Sequence, residues 1–230
     1  GGRNFTQRAF LGQHDLSFTL EGPLAGELAG SFDRFWRQQG GPPGAAPPEA
    51  EPCPVAVNAW ARLVRTEPGE REIAATLYAA VDRARVRVVT ENPYFSDRRL
   101  IARLIAAARR GVDVRAVLTL DGDHAVYNAA NRVVANRLRA AGVRVYLYPG
   151  MTHVKALAVD GCWAYTGTAN FDPLSMRRDR ELGLALGDGP VVGELEAELL
   201  SDCRPEWELL APLPLSPHDR AAAVLAELFL

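Results

Sequence analysis

The chain has 230 residues and a mass of 25.0 kDa, 48% of it apolar and 23% charged, which is enough to bury a core without disulfide staples and too apolar for disorder. Net charge is −2 and the pI is near 6.1, which does not fit the strongly basic body of a non-specific nucleic-acid binder. Three widely spaced cysteines (Cys53, Cys162, Cys203) do not make a disulfide framework or a zinc site, and no apolar run reaches the roughly 18 residues that span a bilayer.

In chain order, residues 16–20 alternate like a half-buried strand, and residues 24–38 carry Leu24, Leu28, Phe32 and Phe35 on one helical stripe. Residues 40–54, GGPPGAAPPEAEPCP, cannot continue a helix or a sheet and are read as a linker. Beyond it, strands are expected over 55–64, 86–90, 112–120 and 143–148, and helices over 70–84, 97–110 and 128–141. Residues 154–159 and 162–166 flank Asp160-Gly161, a strong hairpin signal. A strand over 182–186, a helix over 191–200 and an amphipathic helix over 217–230, with Ala222, Leu225 and Phe229 inward, complete the reading. The class is α/β.

Two features stand above this pattern. Of 26 basic residues 25 are arginine, and the only lysine is Lys155. The opening GGRNF also echoes GTANF at 167–171, an offset of 166 that places Asp15 on Glu181 and Leu16–Leu20 on Leu182–Leu186. Each copy reads glycine, asparagine, a carboxylate, then a strand, as expected of a duplication whose first copy has lost its beginning.

Around the lysine the sequence reads His153-x-Lys155, Asp160, Gly167-Thr168-x-Asn170. Strand alternation puts His153 and Lys155 on one face. Asp160 has the opposite parity, so its expected task is local, bonding turn amides or a neighbouring arginine. Gly167 permits a tight exit from the strand, and Asn170 projects an amide from the following loop. An imidazole is a competent nucleophile or general acid.

This spacing resembles the HKD signature of the phospholipase D superfamily. Asn92-Pro93-Tyr94-Phe95, Arg110-Gly111-Val112-Asp113-Val114-Arg115 and Gly167-Thr168-Ala169-Asn170-Phe171-Asp172-Pro173 are similar to bacterial cardiolipin synthases and their relatives. The resemblance implies a phospholipase D-type mixed sheet flanked by helices. Residues 1–39 are then the end of a preceding lobe, 55–215 a lobe with a complete motif, and 216–230 a C-terminal helix. It implies phosphodiester transfer or hydrolysis on a phosphatidylglycerol-like lipid through a phosphohistidine. A nuclease, or a non-catalytic lipid-binding module, is the alternative.

The roles that follow from the resemblance are His153 as nucleophile or acid, and Lys155 and Asn170 on the phosphoryl oxygens, with a hydroxyl from Thr168. Glu181 is expected to hold the His153 imidazole, and Asn4 and Asp15 to repeat the two tasks of Asn170 and Glu181 in the first half. Gly167 and Asp160 support. No metal or cofactor is implied. The first motif's own His-x-Lys is expected upstream of Gly1 in a longer chain, or from a second copy in a homodimer. The expected location is cytoplasmic or peripheral at the cytoplasmic membrane face, with no nucleic-acid partner favoured. His14 and His124 are read as structural and as part of a solvated loop. Ten arginines against four aspartates between Ser96 and Arg144, a local +6, either face anionic headgroups or coat two solvated helices.

Overall fold

The computed structural model describes residues 2–42, 44 and 60–228. Most of the expected linker, and residues 55–59 of the strand after it, lie outside that range. The N-terminal segment holds α1 (Gln7–Gly12), β1 (Gln13–His14) and α2 (Pro23–Gln38). Next come β2 (Trp60–Glu67), β3 (Glu70–Arg71), α3 (Glu72–Arg83), β4 (Arg87–Glu91), α4 (Arg98–Arg109), β5 (Asp113–Thr119), α5 (Ala125–Ala140) and β6 (Arg144–Tyr148). After them the chain forms β7 (Met151–Thr152), β8 (Ala156–Val159), β9 (Trp163–Gly167), α6 (Pro173–Arg177), β10 (Glu181–Gly187), α7 (Pro190–Ser201), a 3-10 turn (Pro205–Trp207) and α8 (Pro217–Leu228).

Eight strands make one mixed sheet in the order β3-β2-β10-β9-β8-β4-β5-β6. The β4–β5 and β5–β6 pairs are parallel and the rest antiparallel. Parallel neighbours need crossovers, and α4 and α5 supply them. Asp97 caps α4 by accepting from the Leu100 amide at 2.7 Å, and Gly111 at φ +91° turns the chain out of it.

Both faces of the sheet are covered, so its strands are apolar on both sides. Val64, Val88, Leu157 and Tyr165 face the layer formed with Ile73, Leu77, Leu100 and Leu104 of α3 and α4. Their neighbours Leu63, Val89, Ala158 and Ala164 face the opposite layer with Val192, Leu195 and Leu199 of α7. Each adjacent pair splits between the two cores, as the two-residue strand period requires.

Three expectations need correction. Residues 16–20 are not a strand: Leu16, Phe18 and Leu20 pack on the α7-side core while their backbone joins no ladder. Their apolar side lies over the face of the sheet, so the alternation marks a covering layer and not an edge. On α2, Leu24 and Leu28 pack on that core, whereas Phe32 and Phe35 are exposed at 62% and 43%. In α8 the inward residues are Ala222, Ala223 and Ala226, because the helix lies close against Ala130 of α5. Leu225 is exposed, and Phe229 lies outside the described residues.

Candidate active site

The β8–β9 hairpin carries the motif. Asp160 and Gly161 both adopt positive φ, +54° and +67°, the geometry of a two-residue turn that follows the sheet twist. The Asp160 carboxylate accepts the amides of Arg85, Val86 and Arg87 at 2.9, 2.8 and 2.8 Å. Burial pushes its pKa up, but those three bonds hold it below the usual carboxylate range. Its task is structural, as expected, although the amides belong to the start of β4 and not to its own turn.

Gly167 ends β9 opposite Gly183 of β10. A Cβ on Gly167 would lie 2.6 Å from the Gly183 Cα, and one on Gly183 would lie 2.3 Å from the Tyr165 ring. Only two glycines let Tyr165 lie across this pair of strands.

The histidine is positioned from the N-terminal segment. β1 pairs in parallel with β7, Gln13 beside Met151 and His14 beside Thr152, and the His153 amide donates to the His14 carbonyl at 2.7 Å. That register brings Asp15 Oδ2 to 2.9 Å from His153 Nδ1. The Asp15 side chain is 3% exposed and the imidazole 13%. An ionised carboxylate only accepts, so a neutral imidazole in this pair carries its proton on Nδ1 and offers the Nε2 lone pair. Glu181 is the expected imidazole partner, and this is corrected. Glu181 instead accepts a short bond from the Thr168 hydroxyl, whose oxygen also receives the Leu182 amide at 3.0 Å. Thr168 is therefore committed to Glu181 and not to a phosphate. The repeat locates Asp15, but the pairing crosses between the two halves.

Lys155 is 5% exposed, and its Nζ donates to the His153 carbonyl at 2.9 Å. Burial pushes the ammonium down to about 8, against the opposing pull of Asp15 and Glu181. Gly2 passes alongside: a Cβ there would lie 3.4 Å from Lys155 Cδ and 3.5 Å from the Gly167 carbonyl. The tail of the GGRNF echo thus meets the second motif. Asn4, two residues on, is exposed and does not reproduce the half-buried setting of Asn170.

The Gly167–Asn170 loop is held by a residue whose role the sequence pattern does not indicate. Asn92 Oδ1 accepts the amides of Tyr94 and Phe171, both at 3.1 Å. The Phe171 carbonyl in turn receives the amides of Ser96 and Asp97 at 2.8 and 2.7 Å. Asn170 Oδ1 is shielded from solvent and has no hydrogen-bond partner among the described residues. Asp172 caps α6 through the Ser175 amide at 2.8 Å, and burial pushes its pKa up to about 7. Tyr94 stacks on Tyr127 at 4.1 Å with His124 edge-on at 5.7 Å.

Two wider surfaces bear on the partner. An open cavity of mixed character, about 750 Å³, lies between α2 and strands β2 and β10, lined by Phe18, Leu20, Leu28 and Phe32 with Asp33, Arg65, Glu67 and Arg180. A smaller one of about 190 Å³ shares Phe18, Leu20 and Leu28 and reaches Gly167 and Thr168. Five of the ten arginines between residues 96 and 144 are paired: Arg98 and Arg137 with Glu227, Arg103 with Asp82, Arg115 with Asp113, and Arg144 with Glu208. Much of the local positive charge is met by acids outside that window, which favours the reading as solvated helix faces.

The family model described as "Cardiolipin synthase, PLD-like domain" matches residues 77–203, more than half of the chain. The chain belongs to this family. It is 32% identical over 212 residues to a cardiolipin synthase A of Pseudomonas aeruginosa, covering 90% of this chain and 41% of the relative. It is 33% identical over 217 residues to one of Cronobacter sakazakii, covering 88% and 44%. The chain thus spans less than half the length of these relatives. The fold is similar to a phosphatidylserine synthase of Haemophilus influenzae, with a TM-score of 0.60 and 13% identity over 92% of this chain and 56% of the other. It is also similar to the phospholipase D family member Nuc of Salmonella typhimurium, with a TM-score of 0.54 and 22% identity over 66% and 97%. These likenesses extend to the mixed sheet with flanking helices. Among the described residues no helix is long and apolar enough to cross a membrane.

Proposed function

We propose that this chain supplies one half of a phosphodiester-transfer site acting on a phospholipid, with phosphatidyl transfer of the cardiolipin synthase type as the reaction. The observation that carries the reading is the Asp15–His153 pair at 2.9 Å beside the buried Lys155. Asp15 fixes the tautomer, so Nε2 meets the phosphorus. As the N–P bond forms, the P–O bond to the leaving alcohol breaks and that oxygen takes a proton from an acid. A second histidine, from a matching motif outside this chain, fits that part. Water or an acceptor alcohol, giving its proton back to that second histidine, then displaces the imidazole from phosphorus and closes the cycle. If the halves trade tasks, His153 is the acid and the same carboxylate supports its protonated form.

Lys155 and Asn170 balance the charge that develops on the non-bridging oxygens, where preorganised donors act most strongly. Asn170 Oδ1 has no hydrogen-bond partner among the described residues, and the amide nitrogen of the same side chain is the donor that meets a phosphoryl oxygen. A lipid is favoured over a polynucleotide by the apolar cavity that reaches Gly167 and Thr168 and by the paired arginines. We place the protein peripherally, at a membrane surface bearing its substrate. His153→Ala in the full-length protein is expected to lower turnover of phosphatidylglycerol vesicles by on the order of a millionfold. Retained turnover contradicts the assignment.

A further inference from the structure

Behind the catalytic pair lies a second cluster. His14 and Asp15 are adjacent, so their side chains leave the chain on opposite sides. Asp15 meets His153, whereas His14 turns to a buried pocket with two carboxylates. Its Nε2 is 2.9 Å from Asp202 Oδ2 at the end of α7 and 3.9 Å from Glu91 Oε1 at the end of β4. These residues are scattered in sequence, and no spacing pattern groups them. Folding assembles one imidazole nitrogen and two carboxylate oxygens within 4.8 Å of one another.

Two buried carboxylates face one imidazole, and among the described residues no lysine or arginine lies within ion-pair distance of either acid. Glu91 is fully buried. Its Oε1 accepts from the Thr152 hydroxyl, while Oε2 is shielded and has no donor among the described residues, and the Glu91 and Asp202 carboxyl groups lie within hydrogen-bonding reach of each other. A buried carboxylate oxygen left bare is costly unless a cation or a proton answers it. The surroundings are those of a prepared ligand set: Thr152 orients Glu91, and Tyr148 stacks on the His14 ring at 5.0 Å and 10°.

We propose that His14, Glu91 and Asp202 bind one divalent transition cation, which ties β1 to the ends of β4 and α7 and so steadies Asp15. One imidazole with two carboxylates suits Zn²⁺ or Mn²⁺. Ligand atoms about 2.0–2.2 Å from a tetrahedral ion lie roughly 3.3–3.6 Å apart, so a set within 4.8 Å closes with an inward adjustment of up to about 1.5 Å in its widest pair. The ion is a structural neighbour of the site and takes no part in the phosphoryl step.

The test uses the purified full-length protein, stripped with chelator and titrated separately with Zn²⁺ and Mn²⁺ by calorimetry. Bound metal is counted by elemental analysis and folding followed by circular dichroism. The expected result is one equivalent of either ion per chain, weakened at least tenfold in both His14→Gln and Asp202→Asn and unchanged in His218→Gln, which alters an exposed histidine of α8 away from the cluster. Absence of stoichiometric binding by the unaltered protein overturns the proposal. So does binding that His14→Gln and Asp202→Asn leave untouched. If Asp202→Asn does not fold, the unaltered protein and His14→Gln decide. Because the readout is binding, it stands or falls independently of turnover.

Discussion

The lobe from β2 onward and the N-terminal segment are built in opposite ways. The lobe hides a continuous core on both faces of its sheet, whereas α1, β1 and α2 together contain one fully buried side chain, Ala9. Yet this thinly packed segment supplies Asp15 to the imidazole, His14 to the cluster behind it, and Gly2 to the side of Lys155. In the proposed site the lobe contributes the reacting groups, and the segment contributes their orientation. A carboxylate that governs a histidine can therefore sit in the part of the chain with the least core of its own.

Predictions that sharpen this contrast can be ordered by size. Lys155→Arg keeps the charge but replaces a compact ammonium in a pocket that leaves it 5% exposed. Turnover is expected to fall by about 10² to 10³, the cost of one transition-state donor. Because burial brings Lys155 to about 8, the free enzyme loses that positive charge as pH rises through this value. kcat/KM of the unaltered protein should then show an alkaline limb near pH 8 that is absent in Lys155→Arg. A limb that persists in the variant assigns it to another group. The same depressed pKa makes folding less stable while Lys155 is charged, so its contribution to stability improves between about pH 8 and 10.5.

Glu181→Gln removes the acceptor of the Thr168 hydroxyl and weakens its contacts with Ser175 and Lys155, and turnover within about tenfold of the unaltered protein is expected. Asp160→Ala removes three amide bonds far from the imidazole. It should leave kcat unchanged while lowering stability in denaturant titration by about 1–2 kcal/mol. Since the folded state holds the Asp160 pKa below its ordinary value, that contribution is present above about pH 4 and fades on acidification through the depressed value. A kcat loss in Asp160→Ala would place the residue in the chemistry after all.

Much of this is legible in the sequence. Period and capping signals locate the elements of the lobe, because Asp97, Gly111, Gly142 and the Asp160-Gly161 turn each have one local reason to be where they are. The motif spacing singles out His153, Lys155 and Asn170. The partner exchange is not legible: an offset repeat states which residues correspond, not which ones meet, and β1–β7 pairing decides the latter. The alternation over residues 16–20 is real, but period alone does not separate a strand in a ladder from a chain lying on a face. Glu91, Asp202 and His14 give no signal because they converge only through the sheet order.

The central claim is that Asp15, from the first half, orients His153 of the second. Its most direct measurement is the turnover of Asp15→Asn beside Glu181→Gln in the full-length protein, with folding of both variants verified. Asp15→Asn should lose on the order of 10⁴ in kcat, the cost of losing the carboxylate that sets a catalytic tautomer, while Glu181→Gln stays within tenfold. The reverse pattern, an active Asp15→Asn beside an inactive Glu181→Gln, would contradict the account.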